Sequence, residues 1–131
     1  MSDLWIGFDF DGTLVGPPSN GRTHGDDYPI MVNLLKLFID NGIQVKIFSA
    51  RAGNPHSRQI VQNWLTSRGL NIPITDTKDF NLALIIDDLA IPVSRGEITS
   101  PISQVNQLLS RLNFSIHPYN VTKRQPAGET Q

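Results

Sequence analysis

Asp9 and Asp11 stand two residues apart at the end of an apolar run, in Ile6–Gly7–Phe8–Asp9–Phe10–Asp11–Gly12–Thr13–Leu14–Val15. A strand alternates its side chains with a period of two, so carboxylates at i and i+2 near a strand's end can share one side. Two anions so placed repel unless a cation joins them or one keeps its proton. Three more polar clusters follow. Ser49 and Arg51 come after a second strand-like run, Lys78 stands in a loop before a third, and Asp87–Asp88 close that third run. Carboxylates from two strand ends can hold Mg²⁺, which takes oxygen ligands and keeps several of its waters. Such an ion, with one lysine and one hydroxyl, makes a cradle for a dianionic phosphoryl group.

The elements that must position these residues alternate in type. Residues 4 to 10 are apolar on both faces, as a buried central strand of a parallel sheet would be. Gly16 to Tyr28 is rich in Gly, Pro, Asp and Asn and reads as a loop or flap. Pro29 opens a helical pattern with Ile30, Leu34, Leu37 and Phe38 on one side and Gly42 as its stop. Ile43 to Phe48 is β-branched and strand-like. Asn54–Pro55 starts a helix that runs to about Arg68 and buries Ile60, Val61, Trp64 and Leu65. Ile72 to Thr75 is extended, Leu82 to Ile86 reads as another buried strand, and Pro92–Val93 as a short last one. Ser100–Pro101 caps a helix to about Leu112. This order predicts a doubly wound parallel α/β sheet in three α/β/α layers. In such sheets ligands bind beyond the carboxyl ends of the strands, which would gather all four clusters on one rim.

Asp9–Phe10–Asp11–Gly12–Thr13–Leu14–Val15 resembles the signature of the haloacid dehalogenase superfamily of phosphohydrolases, D-x-D-G-T-[LV]. Ser49 is similar to that family's second motif, Lys78 to its third, and Asp87–Asp88 to the paired-acid form of its fourth. The resemblance covers residues 4 to about 94. It implies that Asp9 is a nucleophile forming an aspartyl phosphate, and that Asp11 is the general acid and base. Thr13 and Ser49 would then hydrogen-bond the phosphoryl group, and Lys78 would offset charge between nucleophile and phosphate. It further implies Mg²⁺ held by Asp9, by Asp11 through its backbone carbonyl, and by Asp87 or Asp88. Arg51 is a candidate for a further phosphate contact. On this scheme the metal and Lys78 lower the pKa of Asp9, and a less solvated Asp11 is raised.

Only 17 residues separate Asp11 from Pro29, and 28 separate Ser49 from Lys78. Neither gap holds the cap domain that many relatives carry, so the chain resembles the small capless type with an open site. It is similar also to the phosphatase half of polynucleotide kinase/phosphatase, which makes nucleotides or nucleic acid ends candidate substrates. Relatives of that short type often place Arg after the paired acids, where this chain has Leu89.

The 131 residues predict one hydrolase domain over 1–112 and a partly disordered tail over 113–131. The formal net charge of −1 does not itself indicate nucleic acid as a partner. No cysteine is present, which excludes disulfides, thiolate chemistry and cysteine-based zinc sites. No signal-like start and no apolar run near 18 residues occur, so a cytoplasmic protein without a membrane partner is expected. A response-regulator receiver domain uses similar residues in another order, and a P-loop enzyme needs a glycine-rich motif that is missing. A catalytically idle haloacid-dehalogenase-like binding or scaffold module is the remaining alternative.

Overall fold

The structure, a computed structural model, describes residues 3–98, 102–110, 114–117 and 120–123. The chain divides into two compact units, Met1–Asp88 and Leu89–Gln131. The first unit contains β1 (Trp5–Phe8), α1 (Pro29–Asp40), β2 (Val45–Phe48), α2 (Pro55–Ser67), β3 (Ile74–Thr75) and β4 (Leu82–Ile86). Its four strands form one parallel sheet in the order β3-β2-β1-β4. The protein is therefore an α/β protein built on a four-stranded parallel sheet.

Local signals set the helix ends. Pro29 occupies the first turn of α1, where its missing N–H costs nothing. The Asn54 side chain accepts a hydrogen bond from the Ser57 N–H at 3.1 Å and caps α2, again with proline following. Between β2 and α2 a 3₁₀ turn spans Ala50–Gly53.

Both helices of this unit cover one face of the sheet. The registered pairs Ile6–Val45 and Phe8–Ile47 present their side chains to that face. Phe38 of α1 meets Phe8 edge-on with ring centroids 5.7 Å apart. Val61, Trp64 and Leu65 of α2 join the same buried cluster with Leu35, Val45 and Ile47. Two right-handed crossovers that step in one direction, β1 to β2 to β3, must put their helices on one side. The expected arrangement with helices on both faces is thus met on one face only within residues 3–88.

The opposite face carries Trp5, Gly7, Lys46 and Phe48, and the connection from β3 to β4 meets it. Trp5 donates its indole N–H to Asp79 at 2.9 Å. Lys46 lies 4.0 Å from the other Asp79 oxygen and 4.5 Å from the Trp5 ring centroid. A six-residue connection replaces the helix that a doubly wound sheet would use there.

β4 matches its expected bounds but not its expected burial. It has one sheet neighbour among the described residues, β1, and Ala83 and Leu84 are exposed. A continuous apolar run cannot by itself tell a central strand from a marginal one, because the difference lies in what pairs beside it.

The described residues of the second unit contain two short antiparallel pairs and one helix. β5 (Val93–Ser94) pairs with β6 (Glu97–Ile98), α3 spans Ile102–Leu109, and β7 (Phe114–His117) pairs with β8 (Asn120–Lys123). The proposed cap at Ser100–Pro101, and most of the tail expected to be disordered, lie outside the described residues. Among the described residues no helix is long and apolar enough to cross a membrane.

Candidate active site

β1 and β4 end side by side at Phe8 and Ile86, and the acids follow directly. The Asp9 N–H still donates to the Ile86 carbonyl at 2.9 Å, one step beyond the strand. From Phe10 the chain curls into a tight loop in which the N–H groups of Thr13, Leu14 and Val15 all point at the Phe10 carbonyl. That loop returns Thr13 to Asp9, and the buried Thr13 hydroxyl donates to Asp9 Oδ2 at 3.3 Å. Asp87 and Asp88 follow directly from β4. One carboxylate oxygen each from Asp9, Asp87 and Asp88 lie within 4.8 Å of one another.

Burial of Asp9, followed by repulsion from Asp87, pushes its carboxyl from the ordinary 3.8 up to about 7. Asp88 adds to the rise, while hydrogen bonds from the Phe10 N–H and Thr13 oppose it. The lowering expected from the sequence is one that bound Mg²⁺ and Lys78 would bring, whereas this rise comes from burial and the neighbouring carboxylates. Lys78 is exposed, next to the Asp79 that accepts from the Trp5 indole, and no ion pair joins it to Asp9. The cation expected beside the nucleophile is therefore not supplied by that residue.

The donor set suits a hard divalent cation such as Mg²⁺, being three carboxylates with one oxygen each within 4.8 Å of the others and no nitrogen or sulfur among them. The elevated Asp9 carboxyl is what such a site looks like electrostatically before a cation relieves it. Asp9, Asp87 and Asp88 would hold the ion. The Asp11 carboxylate takes no part in this cluster.

Gly12 has φ +84°, and a Cβ added there would lie 2.4 Å from Asp88 Oδ2. Backbone conformation and close approach to the acid both require glycine. Gly12→Ala is expected to lower stability by about 1–3 kcal/mol and to weaken Mg²⁺ binding by roughly tenfold, the scale of losses from disturbing groups around a metal. Isothermal titration of Mg²⁺ into the variant checks this, and unchanged affinity would count against Asp88 as a ligand.

Asp11 and Asp9, expected on one side, part company because the strand ends at Phe8 and its alternation goes no further. Arg51 grips Asp11 with both arms of its guanidinium, Nε to Oδ2 at 2.6 Å and Nη2 to Oδ1 at 2.7 Å. The same Nη2 donates to the Thr23 carbonyl at 3.0 Å. Hydrogen bonding to Asp11 raises the Arg51 pKa still further, so this side chain is a permanent cation. Ser49 is buried and its Oγ accepts from the Arg51 N–H at 3.1 Å, which makes it the cap of the 3₁₀ turn. A hydroxyl that accepts keeps its own proton to donate.

The 16–28 loop is closed at its base and anchored at its end. Gly16 N–H donates to the Asp26 carbonyl at 2.9 Å and Gly25 N–H to the Gly16 carbonyl at 3.0 Å. A Cβ on Gly25 would lie 2.3 Å from that Gly16 oxygen. Asp27 takes the Trp64 indole N–H at 2.8 Å and Arg68 Nε and Nη2 at 2.9 and 2.7 Å. Burial alone would raise the Asp27 carboxyl, but these donors hold it below its ordinary value. Asp27→Ala strands the buried indole and one cation, and is expected to cost about 2–3 kcal/mol. Urea unfolding checks the loss, and a change under 0.5 kcal/mol would mean that the loop is not anchored there. The sequence signals neither this anchor nor Tyr28, which with Gly12, Thr13, Met31, Ile86 and Asp88 lines a hollow of about 200 Å³ beside the acids.

Comparisons with protein-family models, with curated proteins and with solved structures find no match to this chain.

Proposed function

We propose that the protein is a Mg²⁺-dependent phosphomonoesterase of the haloacid dehalogenase type, with a Rossmann-like sheet, no cap domain and Asp9 as nucleophile. The observation that carries this reading is the convergence of Asp9, Asp87 and Asp88 at the carboxyl ends of two adjacent parallel strands. The D-x-D-G-T sequence that begins at Asp9 supports it. Nucleotides and nucleic acid ends are candidate substrates, and an open site admits them.

Bound Mg²⁺ would neutralise phosphoryl oxygens and keep Asp9 ionised. The Asp9 carboxylate attacks phosphorus and the bond from phosphorus to the ester oxygen breaks. Thr13 and Ser49 donate hydrogen bonds to the phosphoryl group. Asp11 supplies a proton to the departing oxygen, then takes one from the water that cleaves the acyl phosphate and restores Asp9. The bidentate grip of Arg51 occupies both carboxylate oxygens of Asp11. A phosphoryl dianion competes for the same guanidinium. Transfer of Arg51 from Asp11 to the phosphoryl group gives the fork a substrate contact and frees the Asp11 oxygens to face the departing one.

A second reading, an idle binding or scaffold module, is favoured by that same Arg51–Asp11 pair and by the position of Lys78 away from Asp9. Incubation with an aryl phosphate and Mg²⁺, followed by acid quench and peptide mass spectrometry, separates the two. Turnover with phosphate on the peptide containing Asp9 is expected. Mg²⁺ binding without turnover or label would leave the scaffold reading.

A further inference from the structure

A second hollow, of about 370 Å³, lies between the 16–28 loop and the exposed side of α2. Its size is at the small end of ligand pockets, which run from roughly 300 to 1,000 Å³. Its walls include Thr23, His24, His56, Gln59, Asn63 and Ser67, a set of hydroxyls, carboxamides and imidazoles. Among the described residues no Asp or Glu lines it, and the one guanidinium there, Arg68, is already engaged by Asp27 at 2.7 Å. The hollow is therefore close to neutral, while the neighbouring site gathers the three carboxylates of Asp9, Asp87 and Asp88.

Specific contacts link the two. The Thr23 carbonyl accepts from Arg51, whose other bonds go to Asp11. His24 packs edge-on against Phe10, between the two aspartates in sequence, with centroids 5.8 Å apart. Asp11 is the group assigned to the leaving oxygen, so the hollow adjoins the leaving-group side of the site.

We infer that this hollow is the leaving-group subsite, and that it selects an uncharged ring bearing several hydrogen-bonding groups. The inference rests on the phosphomonoesterase reading for its orientation. Carboxamides both donate and accept, so Gln59 and Asn63 can pair with the hydroxyls of a sugar or the polar edge of a base. In the free protein they bond to each other, Gln59 Nε2 to Asn63 Oδ1 at 2.8 Å, across one helical turn. A charged leaving group gains nothing there, since the walls offer no free opposite charge. Gln59, Asn63 and His56 are specificity-determining side chains, not catalytic residues.

The test compares kcat/KM for a hexose phosphate, uridine monophosphate and phenyl phosphate, in the wild type and in Gln59→Leu/Asn63→Leu. One of the two hydrogen-bonding rings should exceed phenyl phosphate by about tenfold or more, and which one does so distinguishes a sugar from a nucleoside. In the double variant that ratio should fall by about tenfold, because unpaired polar groups discriminate strongly. His56→Ala, at an exposed position, provides a second variant if the first unfolds. A preference for phenyl phosphate, or a ratio unchanged in both variants, overturns the subsite and leaves the phosphatase intact. A parallel titration of free glucose and free uridine into the Asp9→Asn protein follows the Trp64 indole resonance. A shift that the Gln59/Asn63 changes abolish, without hydrolysis of any phosphate by the wild type, sustains the hollow as a ring-binding site and overturns both the phosphatase and the leaving-group role. No shift and no turnover overturn both.

Discussion

Asp9→Asn should lower phosphatase turnover by roughly 10⁴-fold or more, the scale seen when a covalent nucleophile is removed, while the protein becomes more stable without metal. The two effects have one cause. Asp9 sits within 4.8 Å of the Asp87 and Asp88 carboxylates and is half-buried, so its charge is costly until a cation arrives. An amide of the same shape keeps the bond from Thr13 and the backbone pairing to Ile86, and removes the repulsion. Higher melting temperature in EDTA, with turnover lost, is the expected pair of results. Undiminished hydrolysis in Asp9→Asn would remove Asp9 as nucleophile. Lost turnover together with a lower melting temperature would mean that the carboxylate holds the fold together, contrary to the electrostatics described.

The second large effect is a pH-dependent stabilisation by Mg²⁺. The Asp9 carboxyl lies at about 7 in the folded protein against 3.8 in its ordinary state. A raised folded pKa means that the native state binds the proton more tightly. The associated stability is therefore fully present below about pH 4 and is lost as pH rises through about 7. The displacement is worth at most about 4 kcal/mol, and less in practice because water reaches the exposed Asp87. Asp27 acts in the other direction and in a lower window, since its folded pKa is depressed and its contribution disappears only under acid. Mg²⁺ competes with the proton on Asp9. Melts at pH 8 should thus rise by several degrees with 10 mM Mg²⁺, on the scale of about 1–2 kcal/mol for a millimolar site. At pH 5 the same addition should do little, and in Asp9→Asn the gain at pH 8 should shrink. Equal gains at both pH values would place the ion elsewhere.

Prolines and caps, glycine at a positive φ, and apolar runs bounded by polar residues act over a few residues, so the chain declares them directly. Asn54–Pro55 starts its helix and the 82–86 strand has its expected bounds. A carboxylate placed just after a parallel strand lands at the carboxyl rim, so Asp9, Asp87 and Asp88 could be placed together before any coordinates. Ser49 was legible as a hydroxyl after a strand, and its capping bond to Arg51 N–H is the local use such a residue most often finds.

Tertiary structure decided what depends on partners far along the chain. The grip of Arg51 on Asp11 spans 40 residues, and that of Arg68 on Asp27 spans 41. No local pattern says which carboxylate a guanidinium will choose. The position of Lys78 followed from a connection without a helix, which drew Asp79 down to Trp5 and away from the acids. The exposure of Ala83 and Leu84 followed from sheet order, which a strand's own residues do not encode. Short-range hydrogen bonding therefore fixed from the sequence where each acid would stand. Long-range pairing, set by how the strands and helices stack, decided which charge each one would face.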